Sequence, residues 1–206
     1  MRLGTNHMKN KIGEYLTKDE CQALLRAPDQ RTVDGKRDYA ILKLFLNTGM
    51  RKQELLNLKY KDIKLYNHQL CLEVRGKGGW SRRQPIGSKE VLSAIKNYWT
   101  AAKIKPKDDD PLFFTLGKHG PWHKRPLTAV AVDCIVAKYA KLALIKKRIT
   151  PHSLRHTFCT LGLRQGIDLR TMQSLMGHHS IGSTQVYLHT DDERKFEAAA
   201  QKIDFA

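Results

Sequence analysis

A chain of 206 residues, 41% of them hydrophobic, is long enough for one domain with a proper core. No apolar run approaches the ~20 residues that a membrane-spanning helix needs, and no secretory signal pattern is visible. The 37 basic and 20 acidic residues leave a formal net charge of +17, which favours a polyanionic partner, with nucleic acid ahead of an anionic membrane surface.

In chain order, residues 1–14 read as a tag, a linker or a flexible N-terminus, and 15–206 as one domain. Thr17, with Glu20 three residues on, forms a capping box ahead of an amphipathic helix over 16–27, with Cys21, Leu24 and Leu25 facing inward. Arg37 to Asn47 is more continuously apolar and predicts a buried helix. After Thr48-Gly49 a helix restarts in TGMRKQELLNL. Arg51 and Glu54 share a face near its start, while Leu55 and Leu58 point inward.

From Asp62 to Ile86 the period shifts towards two. Short strands are expected near Ile63–Leu65, Leu70–Val74 and Ser81–Ile86, turning at Asn67-His68 and at Gly76-Lys77-Gly78-Gly79. Arg75, Arg82 and Arg83 on this small antiparallel sheet suit contacts to DNA phosphates better than chemistry. A helix follows over Ser88–Ala102, with Val91, Leu92, Ile95 and Trp99 on its apolar side. Asp108-Asp109-Asp110 reads as a solvated turn rather than a metal site. Leu112-Phe113-Phe114 is a short buried run, Gly117–Arg125 a basic loop, and Ala129–Leu144 a long helix.

The stretch Thr150 to Tyr187, TPHSLRHTFCTLGLRQGIDLRTMQSLMGHHSIGSTQVY, organises the chain. His152 and Arg155, three apart in a Pro-initiated run, fall on one helix face. Leu154, Phe158, Leu161 and Leu163 are core candidates. His178 follows a glycine that suits the left-handed cap of a second helix, and Tyr187 comes nine residues later. After it, Asp191-Asp192-Glu193 opens a last helix running to about Lys202, with acidic residues where they complement the helix dipole. Two imidazoles, a guanidinium and a phenol suit chemistry on a phosphodiester. The phenol attacks phosphorus and the cations hold the charge that develops. A zinc site on His152 and His156 is the weaker reading, because it lacks the glutamate of H-E-x-x-H and any thiolate pair.

These motifs resemble the tyrosine recombinase (phage integrase) family. The pattern H-x-x-R, L-x-G-H, tyrosine matches at His152, Arg155, Leu175-Met176-Gly177-His178 and Tyr187, and T-G-x-R-x-x-E-L matches at Thr48 to Leu55. The resemblance implies a mostly helical α+β catalytic domain with a small three-stranded antiparallel sheet. The N-terminal core-binding domain that many members carry is expected to be absent, a departure from the family, because the chain has no room for it. It implies Arg51, Lys77, His152, Arg155 and His178 as catalytic residues, Tyr187 as nucleophile and Glu54 as the acid orienting the cations. Lys77, on the hairpin, would protonate the leaving oxygen.

The function implied is site-specific recombination through a 3′-phosphotyrosyl intermediate. The cationic cluster would do the work of a divalent metal, so neither metal, cofactor nor ATP is expected. The partner would be double-stranded DNA, with a homotetramer on DNA and a monomer or weak oligomer when free. The location would be the cytoplasm of a bacterium or archaeon, or of a phage's host, at the nucleoid. The four cysteines (Cys21, Cys71, Cys134, Cys159), with no C-x-x-C pair, fit reduced thiols there, two of them in the core. Two alternatives are a type IB topoisomerase-like enzyme that only relaxes DNA, and a DNA-binding accessory protein with an inactive site.

Overall fold

The computed structural model describes residues 14–76, 81–116 and 125–177. Thr17 starts α1 (Lys18–Arg26) through the expected capping box. Its hydroxyl accepts from the Glu20 N–H, and the Glu20 carboxylate accepts from the Thr17 N–H at 2.7 Å.

The centre of the domain is α2 (Val33–Thr48). Every residue from Ala40 to Met50 is buried, as a helix apolar on nearly all sides must be. Most of the polar groups it takes inside find partners, the Asn47 Oδ1 excepted. Lys43 donates to Glu90 at 2.6 Å and Thr48 to the Leu44 carbonyl at 2.6 Å, while Asp38 accepts from Arg37 and from the Tyr139 hydroxyl.

Beyond α2 lie the short α3 (Lys52–Asn57), a 3-10 turn at Tyr60–Asp62, and the strands β1 (Ile63–Tyr66), β2 (Gln69–Arg75) and β3 (Ser81–Pro85). The sheet is antiparallel in the order β1-β2-β3, with Ile63 opposite Leu72 and Val74 opposite Arg82. Asn67 and His68 both have positive φ, the geometry of a two-residue hairpin turn.

The remaining helices are α4 (Lys89–Ala101), α5 (Ala129–Leu142), α6 (Pro151–Arg164) and α7 (Leu169–Met176). Helix α2 packs against α1, α4 and α6, and α3 against α5 and β2. Leu112–Phe114 is pinned to α4, where Trp99 donates to the Leu112 carbonyl and the Tyr98 hydroxyl accepts from the Phe114 N–H. Burial pushes the Tyr98 phenol up to about 12. One apolar core runs from Leu16 to Met176.

Two expectations change. Leu163 is exposed, not core: Leu154, Phe158 and Leu161 sit at i, i+4 and i+7 on the inner face of α6, and Leu163 falls on the opposite side. Arg82 is not a surface residue. Strand alternation turns it inward with Gln84, and only 8% of it is exposed.

Cys21 and Cys71 are buried, Cys134 is exposed and Cys159 lies between. Asp109 accepts from Lys59 and Lys61, and the Asp110 carboxylate accepts from the Lys107 N–H. Among the described residues no helix is long and apolar enough to cross a membrane.

Candidate active site

The Thr48-to-Arg51 turn depends on its glycine. Gly49 closes α2 at φ +58°, and its N–H donates to the Phe45 carbonyl at 2.9 Å. A Cβ there would lie 2.3 Å from Cδ1 of Phe158 on α6. Both the dihedral and the close approach of α6 therefore exclude a side chain. The chain leaves this cap with Arg51 at the N-cap of α3 and Glu54 at its third position. Glu54 Oε2 accepts from the Arg51 N–H at 2.7 Å, and Oε1 accepts from Arg51 Nη1 at 3.1 Å.

About a hundred residues later, Thr150 caps α6 and Pro151 occupies its first turn. The helix carries Arg155 inward, to 4% exposure. Its Nη1 donates to the Gly49 carbonyl at 2.7 Å, and its Nη2 donates to the Met176 carbonyl. The next carbonyl, that of Gly177, accepts from Arg51 Nη2 at 3.2 Å. Two arginines from distant motifs thus share the C-terminal end of α7, where unmatched carbonyls favour cations.

His152, one turn before Arg155, is exposed but faces the same cavity. The cavity measures about 410 Å³ and is lined by Arg51, Arg155 and His152, with Lys52 and Asp133 among its other walls. Arg82 completes the cluster from the sheet. Its Nη1 and Nη2 donate to Glu54 Oε1 and Oε2 at 2.7 and 2.8 Å. Burial raises the Glu54 carboxyl, but the Arg82 bonds and charge, with Arg51, outweigh it and hold the group at about 2. Arg155 is lowered to about 10 by burial and then by the Arg51 charge, and it remains a cation at neutral pH. Three guanidiniums around one carboxylate leave a net positive site suited to an anion.

The sheet arginines divide. Arg75 donates to Asp62 at 2.9 Å, and Arg83 lies 3.9 Å over the Tyr66 ring on the outer face. Arg82, expected beside them as a phosphate contact, is instead taken up by Glu54. A signal was available, since Arg82 and Gln84 share strand parity with the apolar Ile86. Lys77, His178 and Tyr187 lie outside the described residues, as do the expected last helix and most of the Gly117–Arg125 loop.

A family model described as "Phage integrase family" matches residues 14–194. This chain belongs to that family. Among curated relatives, a tyrosine recombinase XerC of Thermodesulfovibrio yellowstonii is 37% identical over 190 residues, which cover 89% of this chain and 60% of that protein. Among solved structures, the XerA recombinase superposes with a TM-score of 0.67 at 32% identity, covering 92% of this chain and 65% of that one. The XerH recombinase in a post-cleavage complex with a palindromic difH substrate gives 0.70 at 28% identity, covering 93% and 54%. The mostly helical fold with its three-stranded sheet is the fold of these integrase-family catalytic domains. The chain spans about three fifths of the length of the curated relatives it matches.

Within this integrase-family site, the glycine of the L-x-G-H motif has a physical reason. Gly177 caps α7 at φ +59°, and a Cβ there would lie 3.0 Å from Arg82 Nη1 and 3.4 Å from Arg51 Nη1. Gly177→Ala is expected to cost about 1 kcal/mol in urea unfolding from the left-handed backbone alone. It should also press on guanidiniums that Glu54 holds in place. An unchanged unfolding midpoint would contradict this account of the cap.

Proposed function

We propose that this chain is the catalytic part of a site-specific recombinase that cuts and rejoins double-stranded DNA through Tyr187. The observation carrying the proposal is the convergence of Arg51 and Arg155, from motifs a hundred residues apart, on one cavity with His152. A phosphodiester resists attack because it is already anionic, and its pentacoordinate transition state gathers more charge on the equatorial oxygens. Two guanidiniums in fixed orientation give paired hydrogen bonds to those oxygens.

In this reading the Tyr187 oxygen bonds to phosphorus as the bond to the 5′ oxygen breaks. The phenolic proton passes to His152, Lys77 protonates the departing 5′ oxygen, and His178 adds a donor to the phosphate. The product is a 3′-phosphotyrosyl link and a free 5′-hydroxyl. The link conserves the bond's free energy, so a 5′-hydroxyl from another strand reverses the step without ATP. Strand exchange between two duplexes then calls for a tetramer on DNA, assembled from chains that are monomeric or weakly associated when free, at the nucleoid. Recombinases among the similar proteins, one of them solved after cleaving its DNA substrate, support exchange over simple relaxation.

The test is to incubate the full chain with a pool of short nicked duplexes of random sequence in EDTA, and to recover DNA that stays attached after SDS. Adducts are expected from the wild type and none from Tyr187→Phe, which should bind the pool as well as the wild type does. Adducts from Tyr187→Phe would move the nucleophile elsewhere. Binding by the wild type without any adduct would overturn the catalytic reading.

A further inference from the structure

We propose that Arg82 is a positioning residue of this site, acting through Glu54 to fix the guanidinium of Arg51 and to tie strand β3 to the start of α3. The inference rests on the recombinase reading for its catalytic consequence, but the geometry stands by itself. Glu54 has two oxygens and about four lone-pair directions, and all four are taken. Oε1 accepts from Arg82 Nη1 at 2.7 Å and Arg51 Nη1 at 3.1 Å, while Oε2 accepts from Arg82 Nη2 at 2.8 Å and the Arg51 N–H at 2.7 Å. The fork of Arg82 sets the plane of the carboxylate, and the carboxylate sets Arg51.

The two arginines are not equivalent. The Arg82 side chain is 6% exposed and the Arg51 side chain 45%, so the buried one anchors the half-open one. Without Arg82, Glu54 would be held only by the group it has to hold. An isolated i,i+3 pair at a helix start is a weak restraint. Stability alone is a poor reason for Arg82, because a buried ion pair is commonly no better than well-packed apolar side chains. Gln84 steadies the far side of the fork, its Oε1 accepting from Arg82 Nε at 3.4 Å. Arg82 also follows Lys77 by five residues in the chain, so its link to α3 relates the hairpin carrying the proposed general acid to the arginine that binds phosphate.

Arg82→Lys keeps the charge and loses the fork. Adduct formation per folded molecule on the nicked-duplex pool should fall about 100-fold, the scale of a small misplacement of a catalytic group. Binding to the same pool should stay within about threefold, because Arg82 faces Glu54 and not the phosphate backbone. Glu54→Gln and the double variant should lose adducts equally, since Arg82 acts through Glu54. Losses that multiply, or binding that falls in step with adducts, would overturn the proposal and make Arg82 a direct DNA contact. Lower thermal stability with unchanged adduct formation per folded molecule would overturn it too, leaving Arg82 merely structural.

A second measurement needs no DNA. The Glu54 carboxyl carbon, followed by NMR, should titrate near the value of about 2 set by its two arginines in the wild type. In Arg82→Gln it should move up towards the ordinary carboxylate range of about 4. An unmoved titration would overturn the link to Glu54. A wild type that forms no adducts would instead count against the recombinase reading, and the titration would still decide whether Arg82 holds Glu54.

Discussion

Replacing Arg155 by alanine should reduce covalent adduct formation by about 1,000-fold, the scale seen when a preorganised donor to a developing oxyanion is removed. It should also destabilise the fold by about 3 kcal/mol, because two buried carbonyls lose their donor. Both effects come from the same five N–H groups. One donates to the Gly49 carbonyl at 2.7 Å and one to the Met176 carbonyl, so the guanidinium closes the ends of α2 and α7 together. The residue also lines the cavity shared with Arg51 and His152. Arg155→Lys separates the two roles. It keeps a cation beside helix ends that favour one, so less stability should be lost than in the alanine variant. An ammonium cannot reach both carbonyls and also present paired donors to a phosphate, so adducts should still be lost. Adduct formation by Arg155→Lys within about tenfold of the wild type would remove the residue from the transition state.

The elements were legible where a local pattern encodes them. Thr17 and Glu20 announce α1 because a capping box satisfies backbone donors within four residues. Asn67-His68 marks the hairpin because its two-residue turn requires positive φ. Thr48-Gly49 ahead of Arg51 was readable as a helix restart. The reason glycine stands there was not, since it lies in Phe158 pressing on the turn from α6. The contacts that make the site are of this second kind. Arg155 meets Gly49 across 106 positions of sequence, and Arg51 meets Gly177 across 126. No periodicity records such a meeting, so only the resemblance put those residues together beforehand.

Arg82 and Leu163 were misjudged for opposite reasons. Composition sent Arg82 outward with its basic neighbours, although its parity with Gln84 and Ile86 turned it inward. Hydrophobicity sent Leu163 inward, although its phase on α6 relative to Leu154, Phe158 and Leu161 turned it outward. In both cases the period of the backbone outweighed the character of the side chain.

Glu54→Gln should lower the melting temperature by roughly 10 °C at neutral pH, the shift that ~3–4 kcal/mol produces in a chain of this size. The variant leaves the Arg82 guanidinium buried without its counter-charge, and the sign of the pH dependence identifies that cause. The Glu54 carboxyl is depressed from its ordinary 4.5 to about 2. A depressed carboxyl stabilises the fold fully above its unfolded value, and the contribution disappears as pH falls through the folded value. The gap between wild type and variant should therefore be widest above about pH 5 and close progressively towards pH 2, where about half of the wild-type carboxyl is neutral. Asp29 and Asp109, also held at about 2, titrate in both proteins and cancel in the difference. Scanning calorimetry of the pair from pH 2 to 7 checks the expectation. A gap that persists unchanged into acid would assign the loss to amide geometry rather than to charge, and Glu54 would then be a packing element of α3 instead of the anion around which the arginines are arranged.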